Sequence, residues 1–156
     1  MTEKPEIYID ADACPVRREV LRVAERHDLV VHIVSNRGFR TGADPRVRNV
    51  LVPEGPDAAD DWIAEQATPA DIVVTSDIPL ADRVLKAGAQ CLGPTGKPFT
   101  EQGIGMALAT RDLMAHLRET GDIQGGGRSF TKQDRSSFLQ ALESAVQQAA
   151  RRAATG

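Results

Sequence analysis

Apolar positions along the chain follow two rhythms in alternation. Residues 7–10 are a short β-branched and aromatic run, which predicts a strand. Pro15 stands where a helix can begin, and Val16, Val20, Val23 and Ala24 then recur at helical spacing through Asp28. Residues 29–34 form a dense β-branched run that reads as a buried strand. Residues 35–48 are polar, contain glycine and are rich in arginine, so a long loop is expected there, followed by a third strand at 49–52. A second helix is expected over 56–67, with Ala58, Trp62, Ile63 and Ala67 as its apolar face. A fourth strand at 71–75, a third helix at 79–87 stopped by Gly88, and a short fifth strand at 89–92 complete the alternation.

The pattern then changes. Thr100 can cap a helix running to about residue 119, with Leu108, Leu113, Met114 and Leu117 as its apolar positions. A last helix over 131–150, or to 153 at the furthest, has Phe138, Leu139, Leu142 and Val146 on one stripe, and Thr131 with Asp134 resembles a capping box. Strands alternating with helices predict a three-layer α/β/α fold, its mostly parallel central sheet holding about four to five strands. With no repeat and no second core, one domain is expected over 1–156. It divides into an α/β core at 1–99, C-terminal helices at 100–120 and 131–153 as an appendage, and a flexible Gly-rich linker at 121–130.

Composition narrows the chemistry. Hydrophobic residues make up 41% of 156 residues but aromatics only 4%, so the core must be aliphatic. A formal net charge of −3 argues against a broadly basic nucleic-acid binder while leaving room for a local basic patch. Cys14 and Cys91 stand far apart, and His27, His32 and His116 are scattered, so no zinc site is expected. No apolar run has the roughly 20 residues of a membrane span, and the N-terminus has no apolar signal segment; a cytoplasmic protein is expected.

Acids carry the main chemical signal. Open parallel sheets bind ligands beyond the carboxyl ends of their strands, where strand order reverses. Asp10 and Asp12 fall at the end of the first strand, and Thr75, Ser76 and Asp77 at the end of the fourth. Asp57, Asp60 and Asp61 share one face of the second helix, although helix capping and dipole pairing also account for acids there, most readily for a solvent-facing Asp61. Between Glu54 and Asp82 there are eight acids and no Lys or Arg. Converging carboxylates repel unless protonated or bridged by a cation, and a hard ion such as Mg2+ or Mn2+ takes oxygen ligands. Asp10, Asp12, Asp57, Asp60 and Asp77 are therefore the candidate members of a metal site. A metal site of this kind can clamp a phosphodiester.

Arginines supply the counterpart. Arg37, Arg40, Arg46 and Arg48, with Asn36, lie in the loop after the second strand, and guanidinium forks match phosphate. Asn36, Arg37, Arg40, Thr75 and Ser76 are the expected substrate contacts, and residues 125–128 with Lys132 and Arg135 form a second candidate phosphate contact. Cys14 reads as a packed small residue rather than a nucleophile, because Asp10 and Asp12 oppose a thiolate and no histidine is near in sequence.

At these residues the chain resembles a known group. DADACP (10–15), PEGPDAADDWI (53–63), DIVVTSDIPLADRVL (71–85) and FTKQDRSSFLQALE (130–143) closely resemble the bacterial YaiI/YqxD-type family, an uncharacterised kin group to which no reaction is attached. More distantly the chain is similar to PIN-domain proteins, many of them Mg2+- or Mn2+-dependent ribonucleases. That likeness implies a metal at Asp10, at Asp60 on the middle helix (an aspartate where glutamate is usual) and at Asp77, with Asp82 as a fourth acid. A metal-dependent nuclease acting on RNA is the leading expectation. The alternatives are a non-catalytic nucleic-acid or protein-binding module on the same scaffold, and a small phosphatase, for which no suitable lysine lies between Thr75 and Asp77.

Overall fold

The computed structural model describes residues 4–11, 14–37, 44–55, 57–120 and 130–155. Five strands form one sheet: β1 (Ile7–Asp10), β2 (Val31–Ser35), β3 (Val47–Leu51), β4 (Ile72–Val74) and β5 (Gln90–Leu92). Every pairing is parallel, and the order is β3-β2-β1-β4-β5. The direction of build-up therefore reverses at β1, which pairs with β2 on one side and with β4 on the other. β1, β2 and β4 are buried along their whole length, as the mainly β-branched and apolar composition of strands covered on both faces leads one to expect. β3 is an edge strand, and none of its residues is fully buried: Val47 and Val50 are half-buried and the rest exposed. It starts earlier than its apolar run, at Val47, because it is in register with Val31 of β2.

Helices cover both faces. On one side α1 (Arg17–His27) and α5 (Lys132–Thr155) pack Val20, Val23, Phe138, Leu142 and Val146 onto Ile7, Ile9, Ile33 and Ile72. On the other, α2 (Ala58–Gln66) and α3 (Ile78–Lys86) pack Ile63, Leu80 and Val84 onto Tyr8, Val34 and Val73. The result is a three-layer α/β/α fold. α5 is thus half of one layer rather than an appendage. Its start is fixed by reciprocal bonds: the Thr131 N–H donates to Asp134 Oδ2 at 3.0 Å and the Asp134 N–H to Thr131 Oγ1 at 3.1 Å. Gly96 meets α5 closely. Its φ is +91°, and a Cβ there would lie 2.6 Å from the Ser137 carbonyl oxygen.

α4 (Glu101–Thr120) departs from its sequence pattern. Ile104 in its first turn packs against the α2/α3 layer, but Leu113 and Met114 are exposed and Leu108 and Leu117 only half-buried. The helix meets α3 on one side, and its apolar spacing runs past the body that could cover it. The Gly-rich segment at 121–129 lies outside the described residues. Among the described residues no helix is long and apolar enough to cross a membrane.

Candidate active site

β1 ends in Asp10, which is buried beside the point where strand order reverses. β4 leads into Thr75, Ser76 and Asp77, and α3 starts immediately afterwards. Thr75 links the two ends. Its hydroxyl donates to Asp10 Oδ2 at 3.0 Å and accepts from the Asp77 N–H at 3.0 Å, and it is wholly buried. Its side chain is therefore shared between the two aspartates, whereas Ser76 beside it is exposed. Asp77 is the N-cap of α3, with Oδ1 accepting from the Leu80 N–H at 3.0 Å.

α2 brings the third carboxylate. Asp57 occupies its N-cap position but makes no side-chain capping bond, and Asp60 follows in the first turn. Asp60 is half-buried, and its carboxyl is pushed up from an ordinary value of 3.8 to about 7. Burial is the largest cause, followed by the charge of Asp77, a hydrogen bond shared with that carboxyl, and the charges of Asp10 and Asp57. Two carboxyls bonded to each other require a proton between them. Asp10, Asp57, Asp60 and Asp77 are in this way brought within one electrostatic field at the sheet edge. Among the described residues, however, no group of three or more His, Cys, Asp or Glu side chains stands arranged around a common point as metal ligands do. The donor set still has the chemistry a hard cation selects, carboxylate oxygens.

Two neighbouring acids are committed elsewhere. Asp61 pairs with Arg83 at 2.7 Å and Asp82 with Lys86 at 2.9 Å. Asp12 and Arg40 lie outside the described residues.

The arginine loop divides between the two ends of the sheet. Asn36 and Arg37 follow β2 at the same edge as the acids and are exposed. Arg46 lies at the opposite edge, just before β3, where it pairs with Asp44 at 3.2 Å and with Asp28 at the end of α1. Arg48 is opposite His32 near the start of β2. Arg46 and Arg48 thus lie at the far end of the sheet from the acids and do not join them.

Most of the remaining reactive groups are committed to packing. The Cys14 thiol is pushed up to about 12 by burial and by Asp10, which removes it as a thiolate nucleophile, and the Cys91 thiol is raised by burial as well. His32 is buried in β2. Its ring stacks on Tyr8 with centroids 4.4 Å apart and bonds Glu6 at 2.6 Å. Trp62 packs beside both rings as part of the core. His27 bonds Glu143 at 2.5 Å and ties α1 to α5.

A parallel α/β sheet with aspartates gathered at its switch point defines the class of architecture. Residues 8–148 match the model of a family described as uncharacterized BCR, YaiI/YqxD. The chain belongs to this family. It is 63% identical over 147 residues to a UPF0178 protein of Parvibaculum lavamentivorans, covering 94% of this chain and 97% of that one. It is 61% identical over 143 residues to one of Rhodospirillum rubrum, covering 91% and 95% of the two chains. It is 56% identical over 143 residues to one of Agrobacterium fabrum, covering 92% and 94%. No solved structure matches it.

Proposed function

We propose that the protein is a divalent-metal-dependent nuclease that hydrolyses phosphodiesters, with RNA as its substrate. One observation carries the reading: Asp60, raised to about 7, shares a proton with Asp77 in the field of Asp10 and Asp57. An acid so perturbed by burial and by like charge, at the carboxyl ends of parallel strands, is a functional-site signature. Asp10, Asp60 and Asp77 would hold Mg2+ or Mn2+, with Asp57 and Asp12 orienting water or substrate. Such an ion, when bound, polarises a phosphoryl oxygen and an attacking water. Asp60 would give up its proton on binding such an ion. Thr75 holds Asp10 and the start of α3 at a fixed spacing, and Ser76, Asn36 and Arg37 face solvent on the same edge to meet the strand.

The test is Mn2+ titration by calorimetry, paired with cleavage of single-stranded RNA. Asp10→Asn is expected to weaken both by at least the roughly 100-fold that loss of even an outer-shell partner can cause. Equal cleavage by wild type and variant, with no Mn2+ uptake, would overturn the reading. A second reading, a binding module without catalysis, draws on the absence of an arranged ligand set among the described residues. It requires that an Asp10→Asn/Asp77→Asn double variant bind RNA as wild type does, and that wild type cut none.

A further inference from the structure

A second feature opens on the same sheet edge, on the α1/α5 side of Asp10. It is a cleft of about 560 Å3 lined by Ala11, Pro15, Arg17, Arg18, Glu19 and Arg135. Ala11 directly follows Asp10, so the cleft begins where the acidic site ends. Its volume lies in the range of small-ligand sites, which run from about 300 to 1,000 Å3. Among the described residues three guanidiniums and one carboxylate line it, the inverse of the charge balance of the neighbouring acids. Two of them come from the first turn of α1, where the helix dipole also favours an anion.

The third guanidinium is pre-set. Arg135 lies 4.8 Å over the Phe130 ring and donates to Glu19 Oε1 at 2.8 Å. It comes from the first turn of α5, so the cleft is built by two helices. Glu19 contributes more than this tie. It is 8% exposed, and its second oxygen, Oε2, has no hydrogen-bond partner among the described residues. A buried carboxylate oxygen left without a donor is costly, and such groups in native proteins commonly await a ligand or an ordered molecule. Arg18, by contrast, is exposed and has no carboxylate partner among the described residues.

We propose that this cleft binds a ribose phosphate: the phosphate on Arg18, Arg17 and Arg135, and the sugar hydroxyl donating to Glu19 Oε2. An anion alone matches the guanidiniums and leaves Glu19 Oε2 without a donor. A donor alone does the reverse. A phosphate with a neighbouring hydroxyl satisfies both, which makes the cleft a subsite that prefers ribose to deoxyribose beside the acidic centre. The proposal rests on the nuclease reading only for the identity of the ligand as an RNA strand rather than a free nucleotide.

Binding is therefore measured in chelator, where nothing is cut. The full chain is titrated with adenosine 5′-monophosphate and with single-stranded RNA and DNA of one sequence. Wild type is expected to bind RNA about tenfold or more tighter than DNA, the order of one hydrogen bond to a charged group. Arg18→Gln should weaken both strands alike and lower the slope of log affinity against log salt by about one. Glu19→Gln, nearly the same shape, should erase the preference for RNA over DNA, with folding checked by thermal unfolding. Tighter binding of the strand than of the monophosphate identifies the ligand as RNA; equal binding identifies a nucleotide and still supports the cleft. An Arg18→Gln variant with wild-type affinity and salt slope, or a wild type that does not distinguish ribose, overturns the proposal. Because no step uses metal, loss of this result and loss of metal-dependent cleavage are separate outcomes.

Discussion

At the scale of single residues, Asp60 makes the folded chain pH-sensitive in an unusual direction. A carboxyl near 7 in the folded state and near 3.8 when unfolded binds its proton more tightly in the fold. Stability from this group is fully present below about pH 4 and is lost as pH rises through about 7. Asp28, Asp44 and Glu143, whose carboxyls are held low, act oppositely and lose their contribution as pH falls. The clean comparison is therefore between wild type and Asp60→Asn, in which all else is shared. The variant should gain melting temperature relative to wild type as pH rises from about 4 to about 7, by a few degrees, since solvent at this half-open site reduces the effect. A difference that stays constant with pH would show that Asp60 titrates normally. The reach of Thr75 was not visible in the sequence, because a strand-end hydroxyl facing Asp10 from 65 residues away has no local signature.

At the scale of elements, Asp77 serves two structures at once, as the cap of α3 and as a member of the acidic group. The two roles separate by substitution, because asparagine caps as well as aspartate while alanine does not. Asp77→Ala should lower unfolding free energy by about 1 kcal/mol, and Asp77→Asn by much less, in denaturant titrations. Both should lose Mn2+ binding; retention of Mn2+ by Asp77→Asn would leave the cap as its whole role. The elements themselves were largely legible in the sequence. The β-branched runs at 29–34 and 71–75 are long and dense enough to announce buried strands, and Pro15, Gly88 and the Thr131–Asp134 pair mark the ends of helices. α4 was not, because helical spacing records which residues share a face and not whether anything covers it: Leu113 and Met114 keep the period and lie in solvent. Nor was the splitting of the arginine loop, since sequence proximity of Arg37 and Arg46 hides that the loop carries them to opposite ends of the sheet. The cleft was half-visible. Arg135 stood out before a helix start, but its partner Glu19 lies 116 residues away on α1.

At the scale of the whole molecule, one face of the sheet depends on the last helix. Phe138 and Leu142 are fully buried against strands from the beginning of the chain. We expect one cooperative transition involving α5 and the sheet together, and Phe138→Ala should lower unfolding free energy by about 3–5 kcal/mol while fluorescence of Trp62, on the far face, reports the same midpoint as circular dichroism. Separate midpoints would mean that α5 unfolds alone. The central place of β1 has a further consequence, for the order in which the protein is made. β1 emerges first and finds β2 within a few dozen residues, but its other edge waits for β4, a delay of several seconds at the usual pace of synthesis. Until then an unpaired edge of a mostly apolar strand is open to any other nascent chain, and Asp10 has neither Thr75 nor the facing acids beside it. The acidic centre is thus assembled late, by the same docking event that closes the most aggregation-prone edge of the molecule.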